Sequence, residues 1–291
     1  MKGTYGERIF YAINYAVLTI IGLTCLLPLV HIVAMSLSEA QAVASGQVFL
    51  WPVGMTVEPY KALFAGSDIL QAFQNNVVIT IVGTVFSMIF TIMAAYPLSR
   101  RNMLGRRIFT LILLFTMLFS GGIIPGYLVL KSLHLLNSYW ALWLPGLVSV
   151  FNMLVLKTYF ESLPEELEEA ARIDGCTEFR LIAQIILPLS VPVLAALTLF
   201  YAVGFWNQFM SVLLYINDTE KYNLTVVVQQ MIRSQSIMQD LTALQPEDAM
   251  LLTPETIKAS GLVVMVVPML VVYPFLQRYF VKGVMLGAVK G

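Results

Sequence analysis

Charge is what this sequence has least of. Asp, Glu, Lys and Arg make up 12% of its 291 residues, against about 25% in an ordinary soluble domain. The 17 basic and 17 acidic side chains cancel, which excludes the broad cationic surface that a nucleic-acid partner requires. Cysteine is nearly absent too. Cys25 lies in an apolar run and Cys176 in a charged segment, so the pair has neither metal-ligand spacing nor a shared depth for a disulfide. No GxxxxGK[ST] loop is present to hold nucleotide phosphates, and no HExxH or GxSxG pattern. The expectation is a chain that is not an enzyme and binds no metal or cofactor of its own. If it drives active transport, the energy must enter through another subunit.

What is abundant is apolar residue: 58% of the chain, with a mean hydropathy of +0.80. An integral membrane protein is expected, with lipid as its main partner. A bilayer core of about 30 Å needs about 20 apolar residues in helix. Six runs qualify, at about Ala12–Ser36, Val77–Ser99, Ile108–Leu130, Tyr139–Leu156, Val191–Ile216 and Ala259–Leu276. Lys2 and Arg8 before the first run, and the Ala42–Ala44 stretch after it, imitate a signal peptide. The run is too long for a signal core of about 7–15 residues and is read as a retained span. The fold class is therefore all-α, six transmembrane helices in a single membrane domain over residues 1–291. All the Lys and Arg except Lys61, Lys131, Lys221, Arg233 and Lys258 fall on the side of the two termini. By the positive-inside rule both termini are cytoplasmic. The outer segments, about Leu37–Asn76 and Asn217–Lys258, are too short for further domains. Thr253 and Pro254 read as the cap and first residue of the last helix.

Inside the spans there is no Asp, Glu, Lys or Arg. Ion-coupled carriers keep such groups at depth to hold the coupling ion, so the absence weakens a secondary-carrier reading, although a sugar facilitator can work without them. His31, near the outer end of the first span, is read as an interfacial histidine before a proton relay. Gly121, Gly122, Pro125, Pro145, Pro268 and Pro274 interrupt spans, as a solute path or simple packing kinks would equally require. Trp206, Asn207 and Gln208 lie together in the fifth run. Two adjacent amides facing lipid are costly, so these residues are candidates for a substrate path, or else for helix–helix hydrogen bonds.

The densest charge sits in the cytoplasmic loop, residues 159–188. Ser162 and Glu165 are spaced as a capping box, with Pro164 in the first turn. Glu165, Glu166, Glu168 and Glu169 favour the positive end of the helix dipole, and Gly175 supplies a left-handed stop. A helix of about 12 residues is expected. A second helix then runs from Thr177 to Leu187 and Pro188, making a helix–Gly–helix elbow. Ala170 and Ala171 would let a partner approach closely, and Glu169 and Arg172 could fix register; composition alone fits a solvated amphipathic loop as well.

The spacing Glu169-Ala170-Ala171, three residues, Gly175, nine residues, Ile185, one residue, Leu187-Pro188 resembles the EAA loop of ABC importer permeases. "EAARIDGC", with Asp174 before the glycine, is similar to the carbohydrate, maltose-importer branch, although Cys176 replaces the branch's common alanine. "AYPLSR" at 95–100, "WNQF" at 206–209 and the tail from Gln277 agree, and "FSGGIIPGYLVLKSLHLLNSYWALWLPG" looks like the subgroup that imports complex or acidic oligosaccharides. The resemblance implies a type I ABC importer permease fold in a bacterial inner membrane. It implies a second homologous permease, two ATP-binding cassette ATPase subunits and an extracytoplasmic sugar-binding protein as partners. Glu169, Ala170, Ala171, Arg172, Asp174, Gly175, Leu187 and Pro188 would form the coupling helix, and the tail after Lys282 would reach the ATPase pair. The competing readings are a sugar facilitator or secondary transporter acting without an ATPase and a membrane scaffold that moves no solute.

Overall fold

The computed structural model describes residues 5–65, 69–231, 233 and 253–288, and these are helical apart from their connections. Among the described residues, three helices are long and apolar enough to cross a membrane: Tyr5–Ser36, Ile69–Ser99 and Glu255–Pro274, the last within a helix that runs to Ala288. Three more crossings are possible if each of three bent helix pairs counts as one. Residues 232, 234–252 and 289–291, which include much of the expected second outer segment and the end of the tail, lie outside the described residues.

Three of the runs expected as continuous spans are interrupted. The third divides into Arg106–Leu118 and Ile123–Ser132, bent by 113°. Arms of 13 and 10 residues are each shorter than the roughly 20 that a bilayer requires. The cause is local. Phe119 takes an extended conformation and Gly122 has φ of 86°, a region that only glycine enters without penalty. The fifth run is helical only from Val191 to Trp206; a break at 207–209 precedes the short helix Met210–Tyr215. The fourth bends by 50° between Trp140–Gly146 and Val150–Glu161, after Pro145. A new N-cap restarts it, the Ser149 hydroxyl accepting from the Asn152 N–H.

The chain forms two compact units. One comprises residues 1–70 and 227–267. Most of its first helix is exposed apolar surface. At its C-terminal end the following segment folds back on it: Tyr60 Oη donates to Ser36 Oγ at 2.8 Å, Val53 N–H to Ser38 Oγ at 3.0 Å, and Thr56 N–H to the Leu37 carbonyl at 2.9 Å. His31 Nδ1 lies 2.7 Å from the Phe49 carbonyl, so it donates to backbone as an interfacial histidine does. The last helix begins at Pro254 as expected, with the Thr253 carbonyl accepting from Thr256 and Ile257. The Thr253 hydroxyl pairs with that of Thr256 rather than capping a backbone N–H.

The other unit comprises residues 71–226 and 268–291. One of its cores gathers Tyr96, Met153, Leu156, Phe160, Leu181 and Ile186 beside the elbow. A second gathers Ile79, Trp143, Tyr201, Phe205, Val212 and Ile216, where the Trp143 indole N–H finds the Ile79 carbonyl at 3.1 Å. Asn137 ties the connections beyond that second core. It stands at φ 59°, donates its N–H to the Tyr215 carbonyl at 2.7 Å, and accepts through Oδ1 from Asn217 and Asp218 at 3.2 and 3.0 Å. Asn137→Ala removes both acceptor bonds and places a methyl side chain in left-handed backbone. A loss of about 1–3 kcal/mol is expected, visible as a lower thermal midpoint in detergent; an unchanged midpoint would deny Asn137 this role.

Candidate functional site: the charged elbow and the groove above it

The elbow is two short helices held at a fixed corner. Its first arm is Glu165–Ile173, nine residues rather than the longer helix expected, with Pro164 as its N-cap and no side-chain cap. The capping box does not form. Ser162 instead ends the preceding helix, its hydroxyl donating to the Tyr159 carbonyl at 2.7 Å. Pro164, extended at ψ 128°, separates the two helices and carries Glu165 out of the hydroxyl's reach.

The corner has the full Schellman pattern. Cys176 N–H donates to the Ala171 carbonyl at 2.9 Å and Gly175 N–H to the Arg172 carbonyl at 3.1 Å, with Gly175 at φ 75°. Ala171, 6% exposed, and Cys176 pack into the core beside the elbow. The two alanines therefore part: Ala171 is turned inward and Ala170 is exposed. Glu169 and Asp174 are exposed as well, and among the described residues no ion pair engages Glu169. Arg172, read as able to fix register by charge, is exposed and pairs across the corner with Glu178 of the second arm at 2.6 Å.

The second arm starts at Thr177, whose hydroxyl accepts from Arg180 N–H at 3.4 Å. It is α-helical over Glu178–Leu181, widens to a π-turn over Ile182–Ile186, and closes with Leu187–Leu189. The widening precedes Pro188, which has no N–H to donate to the carbonyl four residues back. Leu187 bonds five residues back to Ile182 instead. An 84° bend then leads into Val191–Trp206. Leu187 and Pro188 thus sit at the hinge between elbow and span, braced by Tyr159 Oη donating to the Leu189 carbonyl at 3.0 Å.

Arg100, at the end of the second long helix, anchors the elbow to the membrane part. Its guanidinium pairs with Glu168 and lies 4.2 Å over the Tyr96 ring. Tyr96 Oη in turn donates to Glu178 at 2.6 Å, so Arg100 and Tyr96 reach both arms. The Arg100–Glu168 side chains are 23% and 14% exposed, which makes this pair worth more than the Arg101–Glu165 contact at 80% and 70%. Beside it Arg106 and Lys157 share Glu161. Sequence reasoning missed this anchor, although Tyr96 and Arg100 belong to the "AYPLSR" stretch it singled out. It also missed Ile173 and Phe179, which are 85% and 82% exposed on the elbow. Large apolar side chains in an otherwise charged loop were the available signal. Such exposed apolar surface next to Ala170 marks an interaction face.

The three residues of the fifth run proposed for a solute path separate. Trp206 is 5% exposed and stacks edge-on to Phe73, 6.0 Å between centroids. Asn207 turns its amide back to the Val203 carbonyl at 3.0 Å. Gln208 alone lines a groove of about 490 Å³, together with Ser149, Asn152, Tyr201 and Phe205. Its Nε2 reaches the Leu142 carbonyl at 3.5 Å and its Oε1 is buried without a partner. Among the described residues, no group of His, Cys, Asp and Glu is placed to hold a metal ion.

The profile of a family described as binding-protein-dependent transport system inner membrane component matches residues 87–286. The chain is 41% identical over 287 residues to the polygalacturonan/rhamnogalacturonan transport system permease protein YtcP of Bacillus subtilis (strain 168), covering 98% of this chain and 99% of that one. It is 42% identical over 293 residues to Protein LplC of the same organism, covering 100% and 98%. Among solved structures it is similar to a chain of a bacterial ABC transporter involved in the import of the acidic polysaccharide alginate, with TM-score 0.84, 31% identity, and 96% and 99% of the two chains covered.

If Arg100 fixes the elbow, Arg100→Ala will free Glu168 and remove the cation over Tyr96 while leaving the spans intact. Amide hydrogen exchange over residues 165–181 should accelerate by about tenfold, equivalent to about 1.4 kcal/mol of local opening. Unchanged exchange there would show that the elbow is held by its apolar packing alone.

Proposed function

The chain belongs to the family of binding-protein-dependent transport system inner membrane components, and on that premise we propose that it forms half of a sugar path whose other half is a second, related permease. It is a permease component and not itself the ATPase. Membership implies an ATPase and a binding protein as partners. The finer reading is two ATP-binding cassette subunits on the cytoplasmic side, where both termini also lie, and an extracytoplasmic sugar-binding protein on the other. On this reading ATP and Mg²⁺ act in the cassette subunits.

The proposed cargo is an oligosaccharide, and an acidic one fits the relatives best, since their names specify polygalacturonan, rhamnogalacturonan and alginate. Gln208, Asn152 and Ser149 offer hydroxyl-seeking groups along the groove, and Phe151 and Phe200 offer apolar faces for sugar rings. Trp206 and Asn207 contribute from behind this wall rather than by contact, given their packing.

The observation that carries the coupling role is the elbow's division of labour. Arg172, Ala171, Cys176 and Glu178 face inward or to each other and stiffen it. Glu169, Ala170, Ile173, Asp174 and Phe179 are left outward. A rigid piece with a free face can transmit a rigid-body displacement, provided the ATP-bound and ATP-free partners bind it differently. Leu187 and Pro188 pass that displacement to Val191–Trp206 through the 84° bend.

Glu169→Lys reverses the charge on the free face, and Gly175→Pro forces φ near −65° where the corner needs 75°. In a reconstituted complex each should leave membrane insertion and basal ATP hydrolysis intact. ATP-driven uptake should fall by about 5- to 150-fold, the range of ordinary coupling energies. Normal uptake by either variant, or uptake by this chain alone without ATP, contradicts the proposal.

A further inference from the structure

We propose that Asn76, Thr80, Thr84 and Ser87 on the second long helix form a hydroxyl-binding wall of the sugar path that is shut behind Phe205 in this structure and uncovered in a second conformation. The inference rests on the importer reading and specifies where its path opens.

At about 100° per residue these four positions fall within an arc of roughly 80°, and they climb about 16 Å of the helix at about 1.5 Å each. Their exposures are 0%, 8%, 7% and 0%. Every polar side-chain atom among them, Asn76 Oδ1 and Nδ2, Thr80 Oγ1, Thr84 Oγ1 and Ser87 Oγ, is buried without a hydrogen-bond partner. Helical Ser and Thr have an easy alternative, a bond back to a carbonyl three or four residues earlier. Ser99 and Ser260 take it. The stripe does not.

A run of unpaired polar groups on one face of a membrane helix is costly and would be relieved by Ala or Val if its only task were packing. The missing partners must therefore arrive in another state. A second permease cannot supply them here, because the atoms are already covered by this chain. Ordered water is a poor substitute, since each of these atoms exposes less than 1 Å², too little for a water that needs about two to four polar partners. Three hydroxyls and an amide offer donors and acceptors without charge, which matches the hydroxyls of a sugar and not an ion.

Gly83 lies on the same face, between Thr80 and Ser87. A Cβ built there would stand 2.9 Å from the Phe205 ring, so that ring rests against the middle of the stripe. One turn below Ser87, Thr91 Oγ1 lies 2.7 Å from Tyr201 Oη, which also accepts the Ser149 N–H at 2.9 Å. Tyr201, Phe205 and Ser149 all line the 490 Å³ groove. The cover and the groove wall are thus carried by Val191–Trp206, the helix joined to the elbow at its 84° bend. A displacement of the elbow moves Phe205 along the stripe and merges it with the groove.

The test uses the complete complex with Cys25→Ser and Cys176→Ala, carrying Thr84→Cys or Ser87→Cys singly, both close in size to the native residue. Each is exposed to a cationic, water-soluble methanethiosulfonate reagent, nucleotide-free and after trapping with ATP and vanadate. Labelling should rise by about tenfold or more on trapping, as for a state passing from minor to dominant. Thr80→Val with Ser87→Ala, which removes unpaired groups, should raise the thermal midpoint of the nucleotide-free complex and slow labelling of Thr84→Cys in the trapped one. Nucleotide trapping without labelling at either position overturns the wall, as does equal labelling in both states; failure of the complex to trap nucleotide instead overturns the importer reading beneath it.

Discussion

Arg100 is the point at which the elbow is fastened to the long helix that leads into the rest of its unit. One guanidinium pairs with Glu168 on the first arm of the elbow and rests on Tyr96, whose hydroxyl holds Glu178 on the second. Glu178 also takes Arg172 across the corner. Each side chain in this set contacts at least one other, so the elbow cannot rotate as two independent arms. Half-buried ion pairs of this kind add less to global stability than to geometry. Geometry is what a coupling element needs, because only a stiff piece converts motion at one end into motion at the other.

The same requirement explains why the adjoining spans are interrupted. Val191–Trp206 leaves the elbow through a π-turn, Pro188 and an 84° bend, and it ends where Asn207 and Gln208 break the helix. A short straight rod between two bends moves as a body. Its side chains Tyr201 and Phe205 fasten it to the second long helix at Thr91 and Gly83. That is also the helix ending at Arg100. The elbow is thereby connected twice to one helix, once by charge at the membrane edge and once by packing at depth.

Much of this was legible in the residues and some was not. The positive φ of Gly175 followed from its place after an acidic, dipole-matched helix, and three of the six apolar runs fall on helices long enough to cross a membrane while the other three fall on bent helix pairs. Hydropathy cannot see a bend, since Phe119–Gly122 and Asn207–Phe209 sit inside windows that stay apolar on average; only Gly122's backbone freedom and the paired amides hinted at the breaks. The capping box failed because Ser162 had a nearer carbonyl in the helix it terminates. Ala171 was read as outward-facing because spacing along a loop does not reveal which face packs. The Arg100 anchor joins residues 68 and 82 positions apart, beyond any local pattern.

The central claim is that the elbow's free face sits against a cytoplasmic ATPase. In the assembled complex, with Ala170→Cys in a background lacking Cys25 and Cys176, a short bifunctional thiol reagent should join this position to a cysteine engineered in the ATPase subunit. The cross-link yield should change between nucleotide-free and ATP-bound complexes. Absence of any cross-link, with Ala170→Cys, and Ile173→Cys in a parallel variant, reacting freely with soluble thiol reagents in the assembled complex, would leave the elbow facing only water and contradict the account.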